Sequence, residues 1–326
     1  MTVLTVPTSP QSISTVNASP ALAADRLLQL LDQTSAELAR VDLRGMNDFV
    51  IELDQIRRRS SRAQWEQMMR DVIAPHPILD QLHQEPFARR AFEKPRGYPG
   101  DAPLLDLIYR ERPYSVELTR LGAALHAWAD GQAGCRSVQE RPRILAQAID
   151  DVADRRDGAR ILSLACGHLR EAQLSNAVRQ GAIAELVALD QDAESLAVVE
   201  REQREFNVVV KRASVRRFVS SGTTLGEFDL IYSAGLFDYL NESDAATVTT
   251  AMFRSLRSGG KLLIANFAPE LCEIAYMEAI MDWRLIYRDE SAMAAFCSDL
   301  PAESIANRSM ARDSGGNVVY MTVEKA

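Results

Sequence analysis

The second half of the sequence alternates short apolar runs with stretches of helical periodicity. In chain order the apolar runs read ARILSLA, AELVALD, NVVVKRA, FDLIYSA, GKLLIANF and NVVYMTVEK, and the first of them begins at Ala159. Because a helix between two strands returns the chain to the same end of a sheet, this alternation favours a parallel sheet with helices on both faces. We therefore predict an α/β domain over residues 151–326.

The first half has a different period. From residue 21 to residue 150 apolar residues recur at helical spacing, as in ALAADRLLQLLDQTSAELARV, and no segment there predicts a strand. The opening MTVLTVPTSPQSISTVNASP lacks the basic start and the apolar core of a secretory signal. We interpret residues 1–20 as a disordered tail and residues 21–150 as an all-helical domain.

One segment interrupts the helical half. The stretch FEKPRGYPGDAPLLDLIY contains two prolines and two glycines close together, which excludes a continuous helix. We predict a loop that presents Arg96 and Tyr98 and that closes over a ligand site in the second half of the chain.

Charge and composition exclude several classes of protein. The 326 residues carry a net charge of −8, which does not suit a protein that neutralises nucleic-acid phosphates. No apolar run approaches the roughly 20 residues that a membrane-spanning helix needs. The four cysteines are scattered, without the spacing of a metal site or a disulfide framework. These observations predict a cytoplasmic protein with no metal, no nucleic-acid partner and no membrane insertion.

The turn after the first strand is the expected ligand site. The strand in ARILSLACGHLREAQLSNAV ends near Gly167, and we expect the following helix to direct its free N–H groups at a ligand. The second strand ends in VALDQD, which places Asp190 where nucleoside-binding folds hold an acid against ribose hydroxyls. The alternative is a helix cap, a role for which Asp192 is better placed.

The same turn distinguishes two nucleoside ligands. A pyrophosphate favours a turn with several glycines, whereas ACGHLRE has one. The turn resembles the first motif of class I S-adenosylmethionine-dependent methyltransferases: Ser163 stands at the position of the usual acid, Ala165 and Leu169 at two glycine positions, and Gly167 keeps the third. VALDQD, KRASVRRF, FDLIYSAGLFDYL and RSGGKLLI resemble the later motifs, in the family's order.

This resemblance implies a Rossmann-like class I methyltransferase sheet preceded by the all-helical domain, which would serve as a lid or substrate domain. It implies S-adenosylmethionine as the cofactor, with Asp190 binding ribose. Either Glu171 or the loop above supplies the negative charge that Ser163 lacks. The cofactor-binding residues that it implies are Ala165, Gly167, Glu171, Asp190, Gln191, Ser214, Val215, Ser233 and Gly235.

A narrower resemblance involves both halves of the chain. KPRGYPGD, ILSLACGHLRE, LIYSAGLFDYL and DWRLIYRDE are together similar to a bacterial group of methyltransferases linked to biosynthesis of 3-hydroxypalmitic acid methyl ester. That similarity implies a carboxylate as the methyl acceptor.

The choice of acceptor decides which catalytic groups are needed. A carboxylate acceptor needs no base, only a guanidinium to hold it, and the candidates are Arg96, Arg284 and Arg288. A hydroxyl or amine acceptor needs a base, for which Asp238 and Tyr98 are the candidates.

Two tyrosines, Tyr239 and Tyr287, are further candidates for contact with the acceptor. Packing is the competing interpretation for the aromatic residues, and surface ion pairs are the competing interpretation for Arg284 and Arg288.

The predicted function is methyl transfer from S-adenosylmethionine to a small molecule with an apolar body, with a carboxylate favoured as acceptor. Three alternatives remain open at this point: an O- or N-methyltransferase with a side-chain base, a protein methyltransferase that esterifies glutamates, and a non-catalytic module that binds S-adenosylmethionine. The sequence also leaves a homodimer open.

Overall fold

The computed structural model describes residues 20–110 and 117–326. The predicted tail, residues 1–20, lies outside the described residues except for Pro20, at which the first helix begins. Within the described residues, no helix is long and apolar enough to cross a membrane.

The first half is helical, as predicted. Local signals fix several helix starts: Ser61 and Gln64 form a capping box, and Asp101 accepts a hydrogen bond from the Leu104 N–H. A π-helical turn, Met69–Ile73, extends the third helix. The helices are α1 (Pro20–Leu38), α2 (Met46–Arg59), α3 (Arg62–Met68), α4 (Ile78–Leu82), α5 (Pro86–Glu93), α6 (Ala102–Ile108), α7 (Arg120–Asp130) and α8 (Ala133–Ala153).

The second half forms a seven-stranded sheet with strand order β3-β2-β1-β4-β5-β7-β6. Its strands are β1 (Ala159–Leu164), β2 (Ile183–Asp190), β3 (Val208–Arg212), β4 (Phe228–Ser233), β5 (Leu256–Phe267), β6 (Ile305–Arg312) and β7 (Val318–Lys325). Strands β1 to β5 pair in parallel, whereas β7 runs antiparallel to both β5 and β6.

The predicted parallel pairing therefore holds for β1 to β5 and was wrong for β6 and β7 at one edge. Strand β6 was also missed, because its segment IANRSMAR is polar and most of its residues are exposed. Such an edge strand buries too little apolar surface to leave the alternating pattern that marked the other six.

Helices cover both faces of the sheet, as predicted. In chain order they are α9 (Asn176–Arg179), α10 (Ala193–Glu202), α11 (Val215–Ser221), α12 (Glu242–Arg254), α13 (Ile274–Ala279) and α14 (Glu290–Ala294). Successive side chains of β1 point to opposite faces of the sheet. Ile161 packs in the hydrophobic cluster on one face and Leu162 in the cluster on the other.

The helical half shares its core with one face of the sheet. The cluster that contains Ile161 also contains Leu27 of α1 and Phe49 of α2. The predicted domain boundary between residues 150 and 151 falls inside α8, whose Ile149 and Val152 are buried in that cluster. Helix α8 therefore carries the helical half directly onto the sheet.

Candidate active site

The turn after β1 has a strained backbone. Ala165, Gly167 and Leu169 have positive φ values of 57°, 54° and 53°. Glycine adopts this region easily, while other residues do so at a cost. Ala165 and Leu169 thus take the left-handed conformation at the two positions where the resemblance expects glycine.

The helix expected directly after this turn is absent. The chain continues as a 3-10 turn, Arg170–Gln173, and then as the four-residue α9. The prediction that a helix N-terminus directs its N–H groups at the ligand was therefore wrong.

The Asp190 carboxylate is held at the end of β2 by two backbone groups. Its Oδ2 accepts a hydrogen bond from the Gly167 N–H at 3.0 Å, and its Oδ1 accepts one from the Asp192 N–H at 2.9 Å. Each oxygen keeps lone-pair capacity for a further donor. Asp192 is the N-cap of α10, as the sequence indicated. The backbone thus orients the Asp190 carboxylate and leaves it able to accept further hydrogen bonds.

A cavity of about 200 Å³ opens at the carboxyl ends of β1, β2 and β4, and we call it the strand-end cavity. The predicted cofactor residues that line it are Ala165, Gly167, Glu171, Asp190, Gln191, Val215 and Gly235. Two others lie elsewhere. The Ser214 Oγ accepts from the Arg217 N–H at the start of α11, and the buried Ser233 Oγ donates to the Leu164 carbonyl oxygen at 2.7 Å. The Ser214 oxygen thus caps the start of α11, and the Ser233 O–H is used by the backbone.

Glu171 places a buried carboxylate in the wall of the strand-end cavity. It accepts a hydrogen bond from the Tyr232 hydroxyl at 2.7 Å, and Ser163 lines the cavity beside it. Burial raises the pKa of the Glu171 carboxyl, and the hydrogen bond from Tyr232 opposes that rise. A cation that entered the cavity would relieve this cost of burial.

The loop between α5 and α6 lies over the same cavity. Its Arg96 donates to Asp192 Oδ2 at 2.7 Å and to Ser195 Oγ at 3.0 Å, which fastens the loop to the start of α10. Gly100 lies against Trp283 so closely that a Cβ there would be 2.3 Å from a ring carbon. Arg96 itself is thus engaged by the protein and does not line the strand-end cavity.

Tyr98 is presented by this loop and lines the strand-end cavity. Burial, together with the charges of Asp190 and Asp192, raises the pKa of Tyr98 to about 12. The phenol therefore keeps its proton at neutral pH, which disfavours the predicted role as a base. A positioning role for Tyr98 stays a prediction.

Asp238, the other candidate base, lies behind the cavity wall. Its Oδ1 accepts a hydrogen bond from the Phe267 N–H at 2.8 Å, and burial raises the pKa of its carboxyl to about 6. Asp238 is not among the residues that line the strand-end cavity. Its carboxylate stabilises the end of β5 rather than reaching toward a ligand.

The remaining predicted acceptor residues make structural contacts. Arg288 is buried, and its guanidinium donates to the carbonyl oxygens of Phe237 and Leu240 and to the side-chain oxygen of Asn266. Arg284 is half-exposed and lies within ion-pair distance of Glu66 and Asp282. Neither arginine lines the strand-end cavity.

Two tyrosines are likewise outside the lining. The Tyr239 hydroxyl donates to the Pro99 carbonyl oxygen at 3.0 Å and accepts from the Trp283 Nε1–H at 2.8 Å, so it supports the loop. Tyr287 is half-buried, with its hydroxyl near the Met277 sulfur. The structure does not bring either one to the strand-end cavity.

Sequence reasoning missed Arg141, a buried residue of α8 that lines the strand-end cavity. Its Nη1 donates to the Ala234 carbonyl oxygen at 2.6 Å, and its Nε and Nη2 both lie within hydrogen-bond distance of the Tyr109 hydroxyl. Among the described residues, no carboxylate forms an ion pair with this guanidinium. Arg141 and Tyr109 lie in helical segments without a motif, so no local signal marked them.

A second missed feature ties the helical half to the turn after β1. Asp106 of α6 accepts from Arg170 Nε at 2.7 Å and lies 2.8 Å from His168 Nδ1. All three side chains are buried. The polar Asp106 within the apolar run LLDLIY was the available signal.

Comparisons with known proteins agree with this geometry. Residues 161–260 match the profile of a family described as "Methyltransferase domain". The match covers part of the second half of the chain, and methyltransferases of this kind use S-adenosylmethionine. The predictions of a methyltransferase fold, of an enzyme and of this cofactor are confirmed. No curated protein sequence matches the chain.

Solved structures are similar to this chain at low sequence identity. A possible exported protein from Bordetella parapertussis is 13% identical with a TM-score of 0.60, and the alignment covers 97% of this chain and 99% of that one. The magnesium protoporphyrin IX methyltransferase ChlM from Synechocystis PCC 6803, with bound SAH, is 12% identical with a TM-score of 0.47, covering 68% and 92%. The N-methyltransferase NodS from Bradyrhizobium japonicum WM9, in complex with S-adenosyl-l-homocysteine, is 15% identical with a TM-score of 0.43, covering 61% and 90%.

Proposed function

We propose that this methyltransferase domain transfers the methyl group of S-adenosylmethionine to the carboxylate of a small molecule with an apolar body. The observation that carries the proposal is the strand-end cavity, in which Asp190, Glu171 and Arg141 are all held by named hydrogen bonds. When bound, S-adenosylmethionine supplies a methyl group that its sulfonium already activates.

The chain's own residues fit the parts of this cofactor. Asp190 has lone pairs for the two ribose hydroxyls, and its two backbone donors keep the carboxylate in place. Glu171 offers a buried carboxylate to the ammonium of the methionine part. Val215 offers an apolar contact for adenine. These three assignments rest on the residue types and on their shared cavity.

Arg141 is the residue that fits a carboxylate acceptor best. Its described hydrogen-bond partners, Tyr109 and the Ala234 carbonyl, are uncharged, which leaves guanidinium N–H groups free for an anion. A carboxylate is nucleophilic without losing a proton at neutral pH, so the reaction needs orientation and no base. The protonated state of Tyr98 and the engagement of Asp238 agree with that requirement. Arg141 takes the role first predicted for Arg96, Arg284 and Arg288.

The test is cofactor binding by the Asp190→Ala variant, measured by calorimetry with S-adenosylhomocysteine. Loss of two charge-assisted hydrogen bonds should weaken binding by about 2–4 kcal/mol. The control is Glu200→Ala, an exposed acid on α10, which should bind as the wild type does. Unchanged affinity in a folded Asp190→Ala variant contradicts the ribose assignment.

A further inference from the structure

A second cavity, of about 70 Å³, lies between the helical half and the end of β5, and we call it the apolar cavity. Helices α5, α7, α8 and α13 contribute to its walls. Its aromatic lining residues are Phe87, Trp128, Phe267, Tyr276 and Trp283. Trp128 and Tyr276 meet edge-to-face with ring centroids 5.7 Å apart. Five aromatic side chains around an unfilled space favour a flat apolar guest.

The apolar cavity and the strand-end cavity share a wall. Ile108 lines the first and its neighbour Tyr109 lines the second. On α8, Val138 lines the apolar cavity and Arg141, three positions later, lines the strand-end cavity, so both lie on one helix face. Arg141 therefore lies about one helical turn from a residue that lines the apolar cavity.

Charge around the apolar cavity determines what enters it. Two carboxylates, Glu85 and Glu273, belong to the lining, while no lysine or arginine of the described residues does. Glu85 accepts from the Ala88 N–H at 2.7 Å and lies 3.1 Å from His126 Nδ1, and Glu273 accepts from the Gly134 N–H at 3.2 Å. Both acids are thus fixed in place by the protein, and their charge opposes entry of an anion.

The Cys135 thiol lies in the same negatively charged environment. It lines the apolar cavity, and its pKa is raised by burial and then by the charges of Glu85 and Glu273. An anionic group is therefore disfavoured here, in contrast with the Arg141 side of the wall.

We propose that the apolar cavity binds the body of the methyl acceptor and that this body is an uncharged aromatic ring, with the acceptor's carboxylate remaining at Arg141. This inference rests on the proposed function. The cavity volume suits a ring after movement of Met277 and Met281, which are flexible lining residues, and does not suit a long acyl chain. The acceptor class is therefore an aromatic carboxylic acid rather than a fatty acid.

The experiment uses three probes on the full chain saturated with S-adenosylhomocysteine: indole, indole-3-acetate and decanoate. Calorimetry measures each affinity. We expect indole and indole-3-acetate to bind, and decanoate to bind at least tenfold more weakly than indole-3-acetate. Arg141→Met should weaken indole-3-acetate binding at least tenfold and leave indole unchanged.

A cavity-filling variant locates the ring. Ala129→Leu on α7 fills the apolar cavity and should weaken indole binding at least tenfold, whereas the matched Ala127→Leu, at an exposed position of the same helix, should not. If Ala129→Leu does not fold, Val138→Ile fills the same space with one methylene group.

The outcomes separate the two proposals. Failure of S-adenosylhomocysteine to bind overturns the proposed function. Normal S-adenosylhomocysteine binding with indole affinity unaffected by a folded cavity-filling variant, or with decanoate preferred, overturns only the present inference.

Discussion

The strand-end cavity and the apolar cavity are adjacent but built in different ways. The strand-end cavity takes Asp190 and the turn around Gly167 from the ends of neighbouring strands, where a backbone hydrogen bond joins them, and it takes Arg141 from α8. The apolar cavity collects side chains from α5, α7, α8, α13 and β5, which are far apart in the chain. The part of a binding site that one supersecondary unit supplies leaves a motif, whereas the part made by tertiary packing leaves none.

The two cavities also differ in how they treat charge. In the strand-end cavity a cation, Arg141, and an anion, Glu171, are both buried with uncharged hydrogen-bond partners. In the apolar cavity the lining charges are carboxylates engaged by backbone N–H groups. The first arrangement offers one charge to the cofactor's ammonium and the other to the acceptor's carboxylate, whereas the second is suited to an uncharged ligand group.

The largest expected effect on stability comes from removing the buried ionic contacts between the helical half and the turn that lines the strand-end cavity. Asp106→Ala leaves Arg170 and His168 buried without their shared carboxylate. We expect the free energy of unfolding to fall by about 3–5 kcal/mol, as measured by urea denaturation.

The control for this variant is an exposed ion pair in the helical half. Glu93→Ala removes the partner of Arg89, both of which are solvent-exposed, and should cost less than about 1 kcal/mol. Equal losses in the two variants would mean that the buried cluster does not join the halves.

A smaller effect, visible in the pH dependence of stability, comes from the buried carboxyl of Asp238. Burial raises the pKa of Asp238 from 3.8 to about 6, so between these values the folded state holds a proton that the unfolded state has lost. Stability therefore falls as pH rises from about 4 to 6, by of order 2–3 kcal/mol for this group. Asp238→Asn keeps an acceptor for the Phe267 N–H and should remove this decline, as measured by denaturation at several pH values.

The same variant separates structure from catalysis. If Asp238 served as a base, Asp238→Asn would abolish methyl transfer; we expect transfer to persist. A wild-type pH profile retained in the variant would contradict the assignment of the titration to Asp238.

The smallest expected effect concerns strain in the turn of the strand-end cavity. Ala165→Gly replaces a residue at φ 57° with one that adopts this conformation freely, and should stabilise the chain by about 0.5–1 kcal/mol. Ala127→Gly, within α7, should instead destabilise it by about 1 kcal/mol. Thermal denaturation compares the stability of each variant with that of the wild type. A loss of stability in Ala165→Gly would show that packing of the Ala165 methyl group contributes more than relief of the backbone strain.

The sequence predicted most of what local patterns encode. Six strands, the helical half, the lining position of Asp190 and the loop that presents Tyr98 follow from periodicity and turn chemistry. The edge strand β6 escaped because its polar residues carry no alternating pattern.

The acceptor side could not be predicted in the same way. Arg141 and Tyr109 come into contact only because α8 packs against the sheet. Arg288 was a candidate for acceptor contact or for a surface ion pair, whereas the structure buries it among backbone carbonyl groups. Such contacts depend on tertiary packing, which no spacing in the sequence records.

Helix α8 gives the two cavities a common mechanical element. One face of this helix carries Val138 at one cavity and Arg141 at the other, one turn apart. A ligand that shifted the helix would change both walls at once, and filling either space would then alter the affinity of the other. Thermodynamic linkage makes that influence equal in both directions. The order in which cofactor and acceptor bind would then depend on their association rates. The coupling free energy between the two binding events would depend on the position of α8.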